Sequence, residues 1–256
     1  MRALGDRMVW PGGALTCLKD TVLYFGADLF PDPRGASVPD NIALPVHAFL
    51  LQRDGVAPVL IDTGEGGAHG GISRTLAALG VARGDFGTVI FTHLHGDHHG
   101  GYLAGGYDGA KVCVSEAEAR FWAAQDHPAN QVLALAAGRT RLAKDGDEVV
   151  PGVRVWTLPG HTPGHIGVVI DNRIAVVGDL LHRADLQLAD PDLATRYDVD
   201  RAQATRTRRT ALAEIARRAW VVCGGHIRMP GQKDRPDGAA FLRVSDADRG
   251  WQARMA

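Results

Sequence analysis

The segment Phe91-Thr-His93-Leu-His95-Gly-Asp97-His98-His-Gly-Gly places three imidazoles and a carboxylate within the six residues from His93 to His98. Imidazole nitrogen and carboxylate oxygen suit a borderline divalent ion such as zinc. The i, i+2 spacing of His93 and His95 lets both rings meet one ion from an extended segment. Asp97 and His98 follow at a turn and can face a second ion. Further ligand candidates stand in Gly- or Pro-rich settings: His161 in LPGHTPGH, Asp179 in VVGDLL and His226 in CGGH. Such neighbours suit strands that must end sharply where the backbone approaches an ion.

Strands must deliver these residues, and short apolar runs precede each of them. Residues 88–92 lead into the histidine-rich motif, 153–158 into His161, 174–177 into Asp179 and 220–223 into His226. Residues 44–51 and 58–61 flank an Arg-Asp-Gly turn, and 167–170 and 174–177 flank Asp171-Asn-Arg, so each pair is predicted to form a hairpin. Helical spacing marks 73–79, with Ser73 as N-cap, and a helix opening at Ser115-Glu-Ala-Glu after a strand at 111–114. Asp200 is the expected N-cap of a long helix reaching about Ala219, and 240–244 is expected to be the last strand. Neither a repeat nor a low-complexity linker appears, so residues 1–256 read as a single domain.

Net charge is −1, which excludes a global electrostatic argument for nucleic acid or an acidic membrane surface. The apolar runs fall far short of the ~20 residues of a membrane span, and MRALGDRMVWPGG lacks the continuous apolar region of a secretory signal. Cys17, Cys113 and Cys223 are odd in number and widely separated; they read as small core residues in a reducing compartment. A cytoplasmic location is the expectation.

The order and spacing of the ligand candidates resemble the metallo-β-lactamase superfamily. Sixty-three residues separate His98 from His161, 18 separate His161 from Asp179, and 47 separate Asp179 from His226. The resemblance spans most of the chain and implies an α/β fold, a four-layer αββα sandwich with the site at one edge of its sheets. It implies that His93, His95 and His161 hold one ion, that Asp97, His98 and His226 hold the other, and that Asp179 bridges them. Zinc is the first expectation for both ions, and manganese, cobalt or iron also suit N/O ligation. A water shared by two such ions loses a proton near neutral pH and becomes a hydroxide nucleophile, so the implied chemistry is hydrolysis. Asp97 is also placed to take or return a proton.

Supporting residues follow from the rule that a ligating imidazole donates its other N–H to a carboxylate or carbonyl. Asp62, at the end of the strand 58–61, is the expected carboxylate, and Thr162 and His165 are expected to brace the His161 loop. His99 is expected to start a helix facing solvent, and His47, His69 and His127 to be non-ligands. His182 stands where related lactone hydrolases often place a tyrosine. That departure, with GDLLHRADLQLADP and the arginine-rich helix before GGH, brings the chain closer to the subgroup around methyl parathion hydrolase. His182 is therefore a candidate to polarise the substrate or hydrogen-bond a leaving group, the alternative being a packing role under the metals.

Phe25, Phe30 and Trp122 are the candidates to line a substrate pocket, which would favour a neutral ester, lactone or triester over a polyanion. Arg201, Arg206, Arg208, Arg209, Arg217 and Arg218 crowd one helix, but Asp198, Asp200 and Glu214 accompany them, so a solvated, salt-bridged face is expected. A small-molecule ester or lactone substrate is thus expected, with some phosphotriesterase side activity and without nucleic acid or membrane. A homodimer is compatible with this. A phosphodiesterase or nuclease is the alternative, followed by an iron-dependent redox relative.

Overall fold

Alternation with a period of two runs through the buried strands and gives each of two sheets an inner and an outer apolar face. The computed structural model describes residues 1–4, 6–32, 37–67, 70–228, 241–247 and 250–256. The first sheet contains β1 (Arg2–Leu4), β2 (Arg7–Trp10), β3 (Gly13–Phe25), β4 (Ile42–Arg53), β5 (Val56–Ile61), β6 (Thr88–Ile90), β7 (Lys111–Ser115) and β8 (Thr140–Ala143), paired in that order. Its helices are α1 (Ile72–Ala78), α2 (Gly96–Leu103), α3 (Glu116–Ala123) and α4 (Ala129–Leu135). The second sheet contains β9 (Glu148–Val150), β10 (Val153–Thr157), β11 (Ile166–Ile170), β12 (Ile174–Val176), β13 (Val221–Cys223), β14 (Leu242–Ala247) and β15 (Gly250–Met255), paired from β15 back to β9. Helices α5 (Ala184–Gln187) and α6 (Arg201–Arg218) belong to this half of the chain.

Phe49 and Leu51 of β4, Ile61 of β5 and Cys113 of β7 meet Val155, Val168, Val176 and Cys223 of the second sheet. The intervening residues Leu50, Leu60, Val112 and Val114 instead pack under the first-sheet helices. Ala175 and Val222 likewise turn towards Ala211, Leu212 and Ile215 of α6. The layers are therefore helix, sheet, sheet, helix. Each fully buried aliphatic or aromatic side chain contributes roughly 1.5–3 kcal/mol to holding them together. All three cysteines are free and buried.

Strand direction explains where the site must lie. β5 runs parallel to β6 and β12 parallel to β13, while β10 and β11 and then β11 and β12 are antiparallel. The C-terminal ends of β5, β6, β10, β12 and β13 therefore emerge at one end of the sandwich, where Asp62 and all the candidate ligands follow.

Several expectations need correction. α1 is capped at Gly71 rather than Ser73: Asp20, at a bulge in β3, accepts the amides of Gly71 and Ile72 through its carboxylate. Residues near 240–244 are not the last strand, because β15 pairs with β14 beyond them. Of the two phenylalanines expected at the pocket, Phe25 ends β3 and Phe30 follows a 3-10 turn at Ala27–Leu29. His99 does lie on a helix, α2, but it is 3% exposed, with its ring 6.2 Å from that of His127. Arg208 is also buried, at 1% exposure, because its guanidinium satisfies the carbonyls of Leu180, Pro191 and Leu193. The rest of that arginine face follows expectation, with Arg217 and Arg218 on Glu214 and Arg209 on Asp192. Asp200 caps α6 by accepting the amide of Gln203. Among the described residues, no helix is long and apolar enough to cross a membrane.

Candidate metal centre

All seven sequence-predicted ligands converge. Donor atoms of His93, His95 and His161 lie within 4.8 Å of one another, as do those of Asp97, His98 and His226. Asp179 stands between the two triplets: its Oδ1 is 3.2 Å from His98 Nε2, and its Oδ2 is 3.3 Å from His161 Nε2 and 3.1 Å from His226 Nε2. Asp97 Oδ2 lies 3.3 Å from His226 Nε2.

The outward-facing ring nitrogens show how each imidazole is held. His98 Nδ1 meets Asp62 Oδ2 at 2.9 Å, His161 Nδ1 meets Asp198 Oδ1 at 2.9 Å, and His226 Nδ1 meets the Pro45 carbonyl at 2.7 Å. His93 Nδ1 lies 3.2 Å from Thr92 Oγ1, whose hydroxyl donates to Asp62 Oδ2 at 2.7 Å. Each of these partners is an acceptor, so the network assigns a proton to Nδ1 and turns Nε2 inward. His95 instead presents Nδ1 to the cluster, 3.0 Å from both His93 Nε2 and His161 Nε2.

This arrangement fits a divalent cation. In the first triplet the Nε2 atoms of His93 and His161 each meet His95 Nδ1 at 3.0 Å. His98 Nε2 and Asp179 Oδ1, 3.2 Å apart, are buried with no further hydrogen-bond partner among the described residues. Buried polar atoms left in this way are costly unless something pairs with them.

Asp62 sits where the sequence places it, and it bears on both triplets. It adopts φ 58°, in the left-handed region that Asp tolerates better than most residues. Its carboxylate accepts the Thr92 amide and hydroxyl as well as the His98 ring. His165 donates Nδ1–H to the Leu158 carbonyl and accepts the amide of Asp179 at Nε2, so it braces the bridging loop as well as the His161 loop. Burial lowers its pKa to about 3, consistent with that neutral tautomer. Thr162 donates to Glu118 Oε2 at 2.6 Å. Gly225 is required by close approach, because a Cβ there would lie 2.7 Å from Asp179 Oδ1 and 2.8 Å from His98 Cε1.

The electrostatics divide the site. Burial lowers the pKa of His93 well below its usual value and that of His95 to about 3, with neighbouring imidazoles reinforcing it. In the other triplet burial is outweighed: the carboxylates of Asp179, Asp97 and Asp62 raise His98, and Asp179 and Asp97 bring His226 up to about 10. Burial would raise Asp97 and Asp179, but the imidazoles of His98 and His226 override it and hold both carboxyls below their ordinary range.

A cavity of about 290 Å³ opens onto the cluster and is lined by His95, Asp97, His161, Asp179, His182 and His226 together with Leu23, Phe25, Leu44, Glu65 and Tyr197. His182 Nε2 is 3.2 Å from Asp179 Oδ2, and its ring stacks on His226 at a centroid distance of 5.2 Å. Phe25 lines the cavity, edge-on to Tyr197 at 5.8 Å. Phe30 and Trp122 do not line it. Phe30 is buried against Leu29, Ile42, Leu44 and Leu193, and Trp122 lies in the helix-side core with its indole N–H on Glu118. His47 is buried on β4, His127 packs against Trp122, and His69 lies outside the described residues.

Three residues of this shell escape sequence reasoning: Asp198, Glu118 and Arg208. Asp198 is the carboxylate that orients His161. Burial would raise its pKa, but the hydrogen bond and charge of His161 hold it below the usual range. Arg208 lies 3.6 Å from Asp198 and donates to the Leu180 carbonyl, next to Asp179. Tyr197, at the rim, likewise carries no motif.

The family profile described as the Metallo-beta-lactamase superfamily matches residues 41–226. An N-acyl homoserine lactonase from a Bacillus species is 32% identical over 152 residues, 50% of this chain and 59% of that protein. The chain spans about three-fifths of the length of the first curated relatives it matches. Among solved structures, AidC, a dizinc quorum-quenching lactonase, superposes with a TM-score of 0.83 at 18% identity, covering 98% of this chain and 97% of that one. The hydrolase AbOPH superposes with a TM-score of 0.79 at 24% identity, covering 100% and 99%. At these identities the superpositions speak to the fold. With a profile match running from β4 to the last candidate ligand, the chain belongs to the metallo-β-lactamase superfamily.

Proposed function

We propose that this protein is a hydrolase that holds two divalent ions, zinc first among them, and cleaves a carboxylic ester or lactone with a neutral, apolar substituent. The observation that carries this reading is the ring of inward-facing donors, four of its five imidazoles tied from behind, at the floor of a largely apolar cavity. His93, His95 and His161 would hold one ion and Asp97, His98 and His226 the other, with Asp179 shared. Ions so held supply a nucleophile from water near neutral pH and withdraw charge from the scissile carbonyl.

The chain's own residues account for the remaining requirements. Asp97, held anionic by His98 and His226, lines the cavity and is placed to take and return a proton at the reacting centre. His182, in the same wall, can donate a hydrogen bond to the substrate carbonyl or leaving oxygen. Leu23, Phe25, Leu44 and Tyr197 offer an acyl or aryl group an apolar surface. Among the described residues, neither lysine nor arginine lines the cavity, which favours a neutral substrate over a phosphodiester or nucleic acid. The relatives named as N-acyl homoserine lactonases add weight to the lactone end of this range.

Proton release by metal-loaded protein on acyl lactones, aryl esters, a phosphotriester and a phosphodiester tests the reading, with Asp97→Ala protein as the blank. Turnover of lactone or ester, lost in the blank, is expected; preference for the phosphodiester would overturn the substrate class. His182→Ala is expected to change turnover or preference while keeping two metals per chain. Loss of an ion in that variant would instead place His182 in the metals' own support.

A further inference from the structure

Glu118 lies in the first turn of α3, outside the cavity, and is fully buried. One oxygen, Oε1, accepts the amide of Leu94 at 2.8 Å and the indole N–H of Trp122 at 2.6 Å. The other, Oε2, accepts the hydroxyl of Thr162 at 2.6 Å. Leu94 stands between His93 and His95, and Thr162 follows His161 directly. A single carboxylate thus spans the two loops that carry the all-histidine triplet.

The seat around it is tight. Ser115, the N-cap of the same helix, donates to the Gly164 carbonyl at 2.6 Å and accepts the amide of Glu118 at 3.0 Å. A Cβ on Gly164 would come within 2.0 Å of the Glu118 amide nitrogen, so the His161 loop rests directly on the helix start. The Trp122 ring, fixed by the same carboxylate, stands edge-on to the His95 ring at 5.7 Å. Burial raises the Glu118 pKa. A buried carboxylate is an expensive way to fill a core, and its donors are drawn from both ligand-bearing loops.

We propose that Glu118 is a positioning residue whose carboxylate clamps residues 93–95 to residues 161–164 at the spacing that brings His93, His95 and His161 to one ion. This rests on the assignment of those histidines as ligands under the proposed function. The clamp acts through hydrogen-bond geometry. A glutamine can reproduce it, its carbonyl accepting from Leu94 and Trp122 and its amide donating to Thr162 Oγ1. An alanine cannot.

The test uses the full chain loaded with cobalt(II) or zinc, measuring metal per chain, resistance to a competing chelator, and the visible spectrum of the cobalt form. Wild type is compared with Glu118→Gln, Glu118→Ala and Thr162→Val. Glu118→Ala is expected to weaken one of the two ions by roughly 10–100-fold, the range for a supporting contact to a metal ligand, with an altered cobalt spectrum and the second ion retained. Glu118→Gln is expected to restore most of that affinity, and Thr162→Val, which removes one arm, to fall between them. Wild-type chelator resistance and spectrum in Glu118→Ala would overturn the proposal, as would a glutamine variant as weak as the alanine one. If Glu118→Ala does not fold, wild-type behaviour in Thr162→Val overturns it. A wild-type protein that binds no metal pair would remove the ligand assignment itself, a failure distinct from these.

Discussion

In one triplet, ring nitrogens of His93 and His161 meet that of His95 at 3.0 Å, and burial suppresses protonation of His93 and His95. In the other, His98 and His226 lie against Asp97 and Asp179, whose charges favour the protonated rings. The second triplet contains a carboxylate of its own, Asp97, whereas the first contains none and meets an anion only in the shared Asp179, 3.3 Å from His161. The two candidate triplets are thus built on different principles, and the support behind them differs accordingly. Glu118 and Asp198 serve the all-histidine side, while Asp62 reaches both sides, directly to His98 and through Thr92 to His93.

The most damaging way to break this contrast is to remove the group shared by both halves. Asp179→Ala should strip the chain of its metal pair and reduce turnover to the background of free metal, as read by metal analysis and initial rates. Two retained metals with unchanged activity would refute the bridging assignment. A sharper comparison sets Asp62→Ala against Asp198→Ala. Each should cost roughly 10–100-fold in metal affinity, but the first should loosen both ions and the second only one, distinguishable by stepwise chelator titration. Equal, single-ion losses in both variants would contradict the asymmetry.

These supporting residues also mark where sequence reading stops. The seven ligand candidates were legible because each stands in a local motif beside glycine or proline, and Asp62 because it closes a recognisable strand. Asp198 precedes no such motif, and it reaches His161 only because the segment before α6 folds back, with the Val199 amide on the His161 carbonyl. Glu118 looked like an ordinary first-turn acid of a helix, and Arg208 like one arginine among six; burial sets them apart, and burial is a tertiary fact. The hairpins at β4–β5 and β11–β12 and the long helix α6 followed from periodicity and turns. β1, β2 and the first part of β3 did not, since charges and glycines interrupt their apolar pattern.

Smaller effects should appear away from the ions. Tyr197→Ala opens the rim beside Phe25 and should raise KM for apolar esters several-fold, consistent with the ~0.5–1.5 kcal/mol of an aromatic contact. Its kcat and metal content should stay as in wild type, and a fall in kcat alone would place Tyr197 nearer the chemistry. The smallest change is expected from Arg209→Ala, which breaks a solvent-exposed pair with Asp192. Thermal unfolding should register less than about 1 kcal/mol, and both ions should be held as before. Its neighbour Arg208 is the instructive contrast, since replacing it leaves buried carbonyls without their guanidinium donor and removes the positive charge 3.6 Å from Asp198, and should cost about 3–5 kcal/mol.

The candidate ligand set is divided between the two sheets. His93, His95, Asp97 and His98 follow β6 of the first, and His161, Asp179 and His226 follow β10, β12 and β13 of the second. Ion binding by this set would therefore cross-link the halves of the sandwich, and an unfolded chain, with these residues scattered over more than a hundred positions, would have no equivalent site. Occupancy at a hundred times the dissociation constant would add about 2.7 kcal/mol per ion to the folded state. Resistance to heat and proteolysis in this protein would then depend on the free metal concentration around it.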